Sequence, residues 1–401
     1  MNKVIPTSDM ESFKKQLNNP NVGFDNVKQE VSNALKKTQK NLVISVVSDY
    51  TGCGHIRNIL PSTYLNAVYG PKRNDGIQII TTPIVISDPS ILNKTRSILF
   101  QRTMGPQTPG LISHFKDLQK KYRFKMIYDI DDFVWSGDDT GEEIPSYNTG
   151  KDAITLDVQE SSIENMKMMD IVCVSTQFLK DYIIKRGIEP HKVKVVHNSL
   201  PTFLWGKDIK KGITERITKP RVVWSSSPTH WFNEKKLCGD MENAWRDWVI
   251  KSVKEDKIEY IQMGGLPWFF EEIKDKIKVY SWVNSLHYPQ ALKSINADFG
   301  IAPLVPNYFN YSKSAIKYQE YCISGILGIG SVFTNGNPSP YDICLTKAND
   351  NITVEEIDEL FDKLVEPQEY NRIITEQYKQ VIDNSWITES AGYINLLTSI
   401  L

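Results

Sequence analysis

Three side chains near the C-terminal third have types and spacing that suit an anionic, polyhydroxylated ligand. Lys313, Lys317 and Glu320 stand at i, i+4 and i+7 in the run Ser312-Lys313-Ser314-Ala315-Ile316-Lys317-Tyr318-Gln319-Glu320-Tyr321. On a continuous helix they share one face. The lysines then lie at the helix N-terminus, where free backbone N–H groups already favour an anion. Glu320, about two turns further on, could accept hydrogen bonds from a sugar diol. Two cations for a diphosphate and one carboxylate for a ribose make a grip for a nucleotide sugar. The same spacing also describes a solvated charged face with i,i+4 ion pairs.

The elements that must position such a group are legible as alternating apolar runs and amphipathic stretches. Leu42-Val43-Ile44-Ser45-Val46-Val47 is short, apolar and β-branched, as buried parallel strands are. It leads into Gly52-Cys53-Gly54-His55-Ile56-Arg57 and a helical pattern through Tyr69. Strand, glycine-rich turn and helix open a Rossmann-like unit, in which Gly52 and Gly54 allow close backbone approach to a phosphate. Pure turn chemistry explains these glycines equally well.

Strands are expected at 77–86, interrupted by Pro83, at 97–102 and at 124–128, with a helix over 109–121. The last strand runs into Asp129-Ile130-Asp131-Asp132. Carboxylates at the C-terminal end of a parallel strand stand where open α/β sheets bind ligands. Capping and loop bracing are the alternative role. A helix over 155–169, a strand over 170–176 with a Ser/Thr cap, a helix over 177–187 and a strand over 193–199 complete a first domain.

Residues 201–219 read as a linker. The second domain opens with Arg221-Val222-Val223-Trp224-Ser225-Ser226-Ser227-Pro228-Thr229-His230, a strand ending in a small-residue loop that could cradle a phosphate or form a plain turn. A helix over 238–254 places Trp245 and Trp248 in a core. Strands are expected at 258–263, ending at Gly264-Gly265, and at 277–280. Trp282-Val283 follows, and Asp298–Pro303 leads to the key helix. Residues 353–385 read as helical and 387–401 as a final amphipathic helix.

Composition narrows the function classes. The 401 residues suffice for two cored domains, and a net charge of −1 carries no global nucleic-acid signature. Charge is unevenly placed. Residues 92–125 hold Lys94, Arg96, Arg102, Lys116, Lys120, Lys121, Arg123 and Lys125 against Asp117 alone, whereas residues 129–170 hold twelve acids against Lys151 and Lys167. The five cysteines form no C-x-x-C pair, which argues against a zinc site or a disulfide framework and fits a reducing cytoplasm. Neither a signal peptide nor a transmembrane helix is expected.

In several separated blocks the chain resembles GT-B glycosyltransferases of the retaining, family-4 type. The blocks are the run around Lys313–Glu320, the motif Tyr128-Asp129-Ile130-Asp131-Asp132, and the order strand, Ser175-Thr176, helix, Gly187, Val193-Lys194-Val195-Val196-His197-Asn198. Where that family often carries a first Glu, eight positions before Glu320, this chain has Ser312. A sub-branch with the pattern Asn-x-x-Lys-Ser-x-x-Lys-x-x-Glu-Tyr fits better, and the motif set is similar to that of glycosyltransferases encoded by large tailed phages.

The resemblance implies a GT-B fold, two Rossmann-like domains facing a cleft. Outside the resemblance, 1–40 reads as a polar helical extension; within it are expected an acceptor domain at 41–200, the linker 201–219, a donor domain at 220–385 and a terminal helix at 386–401 that could return to the first domain. The resemblance also implies a nucleoside diphosphate sugar as donor, in the first place a UDP-sugar, with no obligatory cofactor or metal. Gly52, Gly54, Arg57, Ser225, Ser226, His230, Gly264, Trp282, Val283, Lys313, Ser314 and Glu320 would bind the donor. Asp129, Asp131, Asp132 and Lys317 would serve catalysis, with His55 the base if the reaction inverts. Arg102 and Asn198 would stand on the acceptor side. The acceptor implied is 5-hydroxymethylcytosine in double-stranded DNA, receiving glucose or arabinose. A cell-surface glycan, or a non-catalytic nucleotide-binding role on the same fold, are the competing readings.

Overall fold

Leu42–Val46 is apolar at four of five positions and buried at all five, the mark of a strand covered on both faces. The same logic runs through the protein, known from a computed structural model that describes residues 33, 36, 41–48, 52–66, 77–135, 156–206, 212–226, 230–231, 240–241, 244–283 and 285–383. These fall into two compact units, one through residue 131 and over 156–197, the other over 132–135 and 198–383. The expected extension at 1–40, apart from residues 33 and 36, and the expected terminal helix lie outside the described residues.

The first unit is a six-stranded parallel sheet in the order β2-β1-β3-β4-β5-β6. Its strands are β1 (Leu42–Val46), β2 (Gln78–Thr82), β3 (Thr95–Gln101), β4 (Lys125–Ile130), β5 (Ile171–Val174) and β6 (Val193–Val195). β2 stops just before Pro83, which cannot donate to a ladder. Helix α1 (Thr108–Tyr122) buries Ile112 and Phe115 and ends where Arg123 turns left-handed at φ 58°. After α2 (Leu156–Lys167), α3 (Gln177–Lys185) is capped by Thr176, whose hydroxyl accepts from the Leu179 N–H, and Gly187 follows at φ 92°.

The second unit repeats the plan in the order β12-β11-β10-β7-β8-β9, again all parallel. Its strands are β7 (Arg221–Ser225), β8 (Glu259–Met263), β9 (Lys278–Tyr280), β10 (Phe299–Ala302), β11 (Leu327–Val332) and β12 (Thr346–Asn349). Alternate residues of one strand enter different cores, as a period of two requires. Val222 and Trp224 pack with Trp245 and Trp248 of α4 (Ala244–Lys254), whereas Val223 packs with Leu292 of α5 (Tyr288–Ile295) and with Tyr318 and Tyr321 of α6 (Ile316–Ile323). Gly300 on β10 makes the second packing possible. A Cβ there would stand 2.5 Å from the Tyr321 ring.

Two stretches differ from the sequence expectation. Residues 353–385 form two helices, α7 (Val354–Leu364) and α8 (Pro367–Asp383), because Pro367 cannot continue a helix but suits the first position of a new one. Within 201–219, Thr202–Trp205 is helical, Trp205 and the preceding Leu200 are buried, and the Ile213 N–H donates to Asn371 Oδ1. That stretch therefore contributes to the core of the second unit.

Candidate functional site

The loop between β10 and α6 carries the lysines, and it is not one helix. Asn307 caps a single turn, Tyr308–Tyr311, by accepting from the Asn310 N–H, and the Ser312 hydroxyl donates back to the Phe309 carbonyl. α6 starts only at Ile316, with no side-chain cap. Lys313 thus precedes the helix, while Lys317 and Glu320 lie on it. The two lysines still meet electrostatically. The Lys317 ammonium is pushed down to about 8, first by burial and then by Lys313, against the opposing pull of Asp240 and Glu320. A fall from 10.5 to about 8 corresponds to roughly 3 kcal/mol against holding that proton. A bound polyanion would relieve this, and the uncapped N–H groups that open α6 add to the attraction.

Glu320 is held by a chain of hydroxyls. Tyr288 Oη donates to Glu320 Oε2 at 3.1 Å and lies 2.8 Å from Ser225 Oγ. Tyr288 spends its one proton on the carboxylate, so the Ser225 hydroxyl donates to Tyr288. Burial raises the Glu320 carboxyl to about 7, with the Tyr288 bond and Lys317 pulling the other way. Tyr321 braces the same strand end. Its hydroxyl accepts from the Ser225 N–H at 2.9 Å and donates to the Ile301 carbonyl at 3.2 Å.

A second cluster surrounds Asp240, a residue the sequence reading did not single out. Its carboxylate is fully buried. Oδ2 stands 2.7 Å from His230 Nδ1 and 3.7 Å from Lys313 Nζ, and Oδ1 accepts from Asn310 Nδ2 at 2.7 Å. Lys313 Nζ also lies 4.5 Å over the Phe309 ring. Burial alone would raise the Asp240 carboxyl, but Lys313 and His230 hold it below its ordinary value. His230 is pushed down to about 3 by burial and by Lys313 and Lys317, so it is neutral.

The other donor-side candidates are distributed around these groups. Ser226 is buried, and its hydroxyl accepts from Gln262 Nε2 at 3.0 Å. Gly264 has φ +110°, and a Cβ there would fall 2.0 Å from the Ser226 carbonyl oxygen, so only glycine fits. Trp282 is 60% exposed, whereas Val283 packs against the core. Ser314 Oγ accepts from Asn198 Nδ2 at 3.0 Å, so Asn198, expected on the acceptor side, stands against a donor-side residue within the second unit. Residues 227–229 of the expected phosphate cradle lie outside the described residues.

The carboxylate motif divides, Asp129 and Asp131 falling in the first unit and Asp132 in the second. Asp129 is inside β4 and fully buried, and both its oxygens are engaged by Arg57, Nη2 at 2.6 Å and Nε at 3.1 Å. Arg57 is buried too, and its Nη1 donates to the Val196 carbonyl. Arg57, on the helical run that follows β1, thus ties the end of β4 to the residue just past β6. Asp131 is buried with its carbonyl accepting from the Ser175 hydroxyl, and Asp132 is half-buried. Gly52–Gly54 is already helical and runs directly into His55–Ile59, so these glycines serve no left-handed turn. His55 is buried on that run. Arg102 sits just past β3 at φ 44° and donates its N–H to the Asp129 carbonyl.

The structure therefore brings Ser225 and Glu320 together through Tyr288, with Lys317 in electrostatic reach of Glu320, and His230 and Lys313 together through Asp240. Neither connector is marked by spacing. Tyr288 lies 32 residues from Glu320, and Asp240 lies 70 from Asn310. Only the Tyr-Pro opening of α5 hinted that Tyr288 stands at a helix start.

No protein-family model and no curated protein matches this chain. Solved structures do. HepE of Anabaena, in complex with UDP and glucose, aligns with a TM-score of 0.54 at 9% identity, over 90% of this chain and 99% of that one. A glycosyltransferase from Rickettsia africae ESF-5 aligns with a TM-score of 0.53 at 13% identity, over the same shares. Sucrose-phosphate synthase from Thermosynechococcus elongatus aligns with a TM-score of 0.55 at 8% identity, over 90% and 99%. At such identities the likeness is one of fold, and with its two parallel six-stranded α/β sheets the chain has the GT-B architecture of two Rossmann-like domains.

Proposed function

We propose that this chain is a glycosyltransferase that moves a sugar from a nucleoside diphosphate sugar, in the first place a UDP-sugar, to a hydroxyl acceptor. The observation that carries the reading is the half-buried pair of lysines, Lys313 just before α6 and Lys317 in its first turn, with Glu320 one turn beyond Lys317. The likeness of fold to HepE, solved with UDP and glucose, supports it.

Lys313, Lys317 and the α6 N–H groups would hold the diphosphate and stabilise the charge that grows on it as the bond to the sugar breaks. Glu320, oriented by Tyr288, would accept from the ribose hydroxyls. The sugar C1–O bond to phosphate breaks, a C1–O bond to the acceptor forms, and the acceptor proton passes to the departing phosphate on the same face, which gives retention without a separate strong base.

The acceptor we propose is the hydroxymethyl group of 5-hydroxymethylcytosine in DNA. It rests on the sequence resemblance and on the basic stretch 92–125. Within that stretch Lys116 pairs with Asp170 and Lys120 with Asp117, which reduces the cations available to phosphates. Nucleoside mass spectrometry after incubation with UDP-sugars and plain or hydroxymethylated DNA tests the reading. A hexose or pentose mass on the modified base alone is expected. Released UDP without added mass on DNA moves the acceptor to glycans. The absence of both UDP release and UDP binding sinks the enzyme reading.

A further inference from the structure

The Asp240–His230 contact fixes which nitrogen of the imidazole carries the proton. A carboxylate can only accept hydrogen bonds, and an ammonium can only donate them. Asp240 Oδ2 lies 2.7 Å from His230 Nδ1, while Lys313 Nζ lies 3.4 Å from that same nitrogen. Were Nδ1 bare, its lone pair would face a carboxylate oxygen at contact distance. Nδ1 therefore holds the proton and donates it to Asp240. The Asp240 side is itself anchored, since Oδ1 accepts from Asn310 Nδ2 and that amide also donates to the Val305 carbonyl at 2.8 Å. The nearby lysines disfavour a second proton on the ring. Nε2 is then left with a lone pair. It makes no hydrogen bond among the described residues, and the side chain is 17% exposed.

A lone pair decides what Nε2 can meet. Diphosphate oxygens are acceptors at neutral pH and would be repelled by it. A sugar hydroxyl is a donor and would be bound. The geometry points to Asp240 as a positioning residue that sets the His230 tautomer, and to His230 as an acceptor for a hydroxyl of the transferred sugar. His230 would thus select for the glycosyl group of the donor, while the lysines hold the phosphates. This rests on the nucleotide-sugar reading above, and the two can fail separately.

The test has two parts. In the free protein, long-range ¹H–¹⁵N spectra of the His230 ring should show Nδ1–H and a bare Nε2. In Asp240→Asn, the oxygen of the introduced amide must stay on the Asn310 amide, so its NH₂ faces His230, and the ring proton should move to Nε2. A wild-type ring protonated on Nε2 or on both nitrogens overturns the proposal.

Calorimetric affinities for UDP and for UDP-glucose, UDP-galactose and UDP-xylose give the second readout, the gain of the tightest UDP-sugar over UDP. That gain should fall about fivefold in His230→Phe, the size of one ordinary hydrogen bond. UDP affinity itself should fall less than that of the tightest UDP-sugar. His230→Gln, whose amide oxygen can take the place of Nε2, should restore the gain. Equal weakening of UDP and UDP-sugar in His230→Phe would mean a phosphate contact and overturn the assignment, as would a wild type that gains nothing from the sugar. Failure of wild type to bind UDP at all would sink the nucleotide reading, and the sugar role with it, while the tautomer would still be read from the free protein.

Discussion

At the residue scale, the site sets two protonation states against each other. Glu320 must be ionised to accept from both hydroxyls of a diol, and Lys317 must be protonated to meet a diphosphate. With the carboxyl raised to about 7 and the ammonium lowered to about 8, UDP affinity should rise with pH through about 7 and fall beyond about 8. The two groups interact, so the limbs report the pair. Tyr288→Phe removes a bond that lowers the Glu320 carboxyl, so the acid limb should move to higher pH and narrow the profile. Calorimetric titration across that range checks this, and an unmoved acid limb would remove Tyr288 from the account. Effects on folding have their own sign. Glu320, raised from 4.5, favours the fold below about 4.5 and loses that contribution as pH rises through 7. Lys317, lowered from 10.5, costs stability below about 8, a cost that fades as pH rises through 10.5.

At the element scale, local chemistry was readable and tertiary partnership was not. Buried parallel strands announce themselves as short apolar runs, so β1, β4 and β7 were placed within a residue or two. The Thr176 cap and Gly187 stop stood out because they satisfy or release backbone groups locally. Lys313 misled because i,i+4 spacing presumes an unbroken helix, whereas Asn307 starts and Ser312 ends a separate turn before α6. Asp129 shows a different ambiguity. A carboxylate at a strand end reads the same whether it faces a ligand or an arginine 72 residues away. Helix α7 offers a clean local test. Thr353 and Glu356 form a reciprocal capping box on an exposed surface. Thr353→Ala should cost about 1 kcal/mol of stability by denaturant titration and leave UDP affinity unchanged.

At the scale of the whole molecule, each unit carries its own sheet and core, so one unfolding free energy does not describe the chain. Two thermal transitions are expected by calorimetry. Asp129→Asn leaves Arg57 buried without its countercharge and should lower the first unit's transition, by an amount corresponding to about 3–5 kcal/mol. UDP at a hundred times its dissociation constant should raise the second unit's transition by about 2.7 kcal/mol. A single transition that both perturbations move together would show instead that the units unfold as one.

Gly300 carries a consequence for anyone mapping this protein by saturation mutagenesis. The missing side chain lets the Tyr321 ring lie against β10, and that ring's hydroxyl holds the end of β7 where Ser225 meets Tyr288. A single methyl at 300 would shift the ring outward and carry the misplacement along two hydroxyls to Glu320. Gly300→Ala should therefore weaken UDP binding at least as much as it loosens the fold, with no atom of residue 300 near the ligand. In a functional screen the position would score like a contact residue, and its true role, a spacer of zero thickness, would emerge only when abundance and binding were measured side by side.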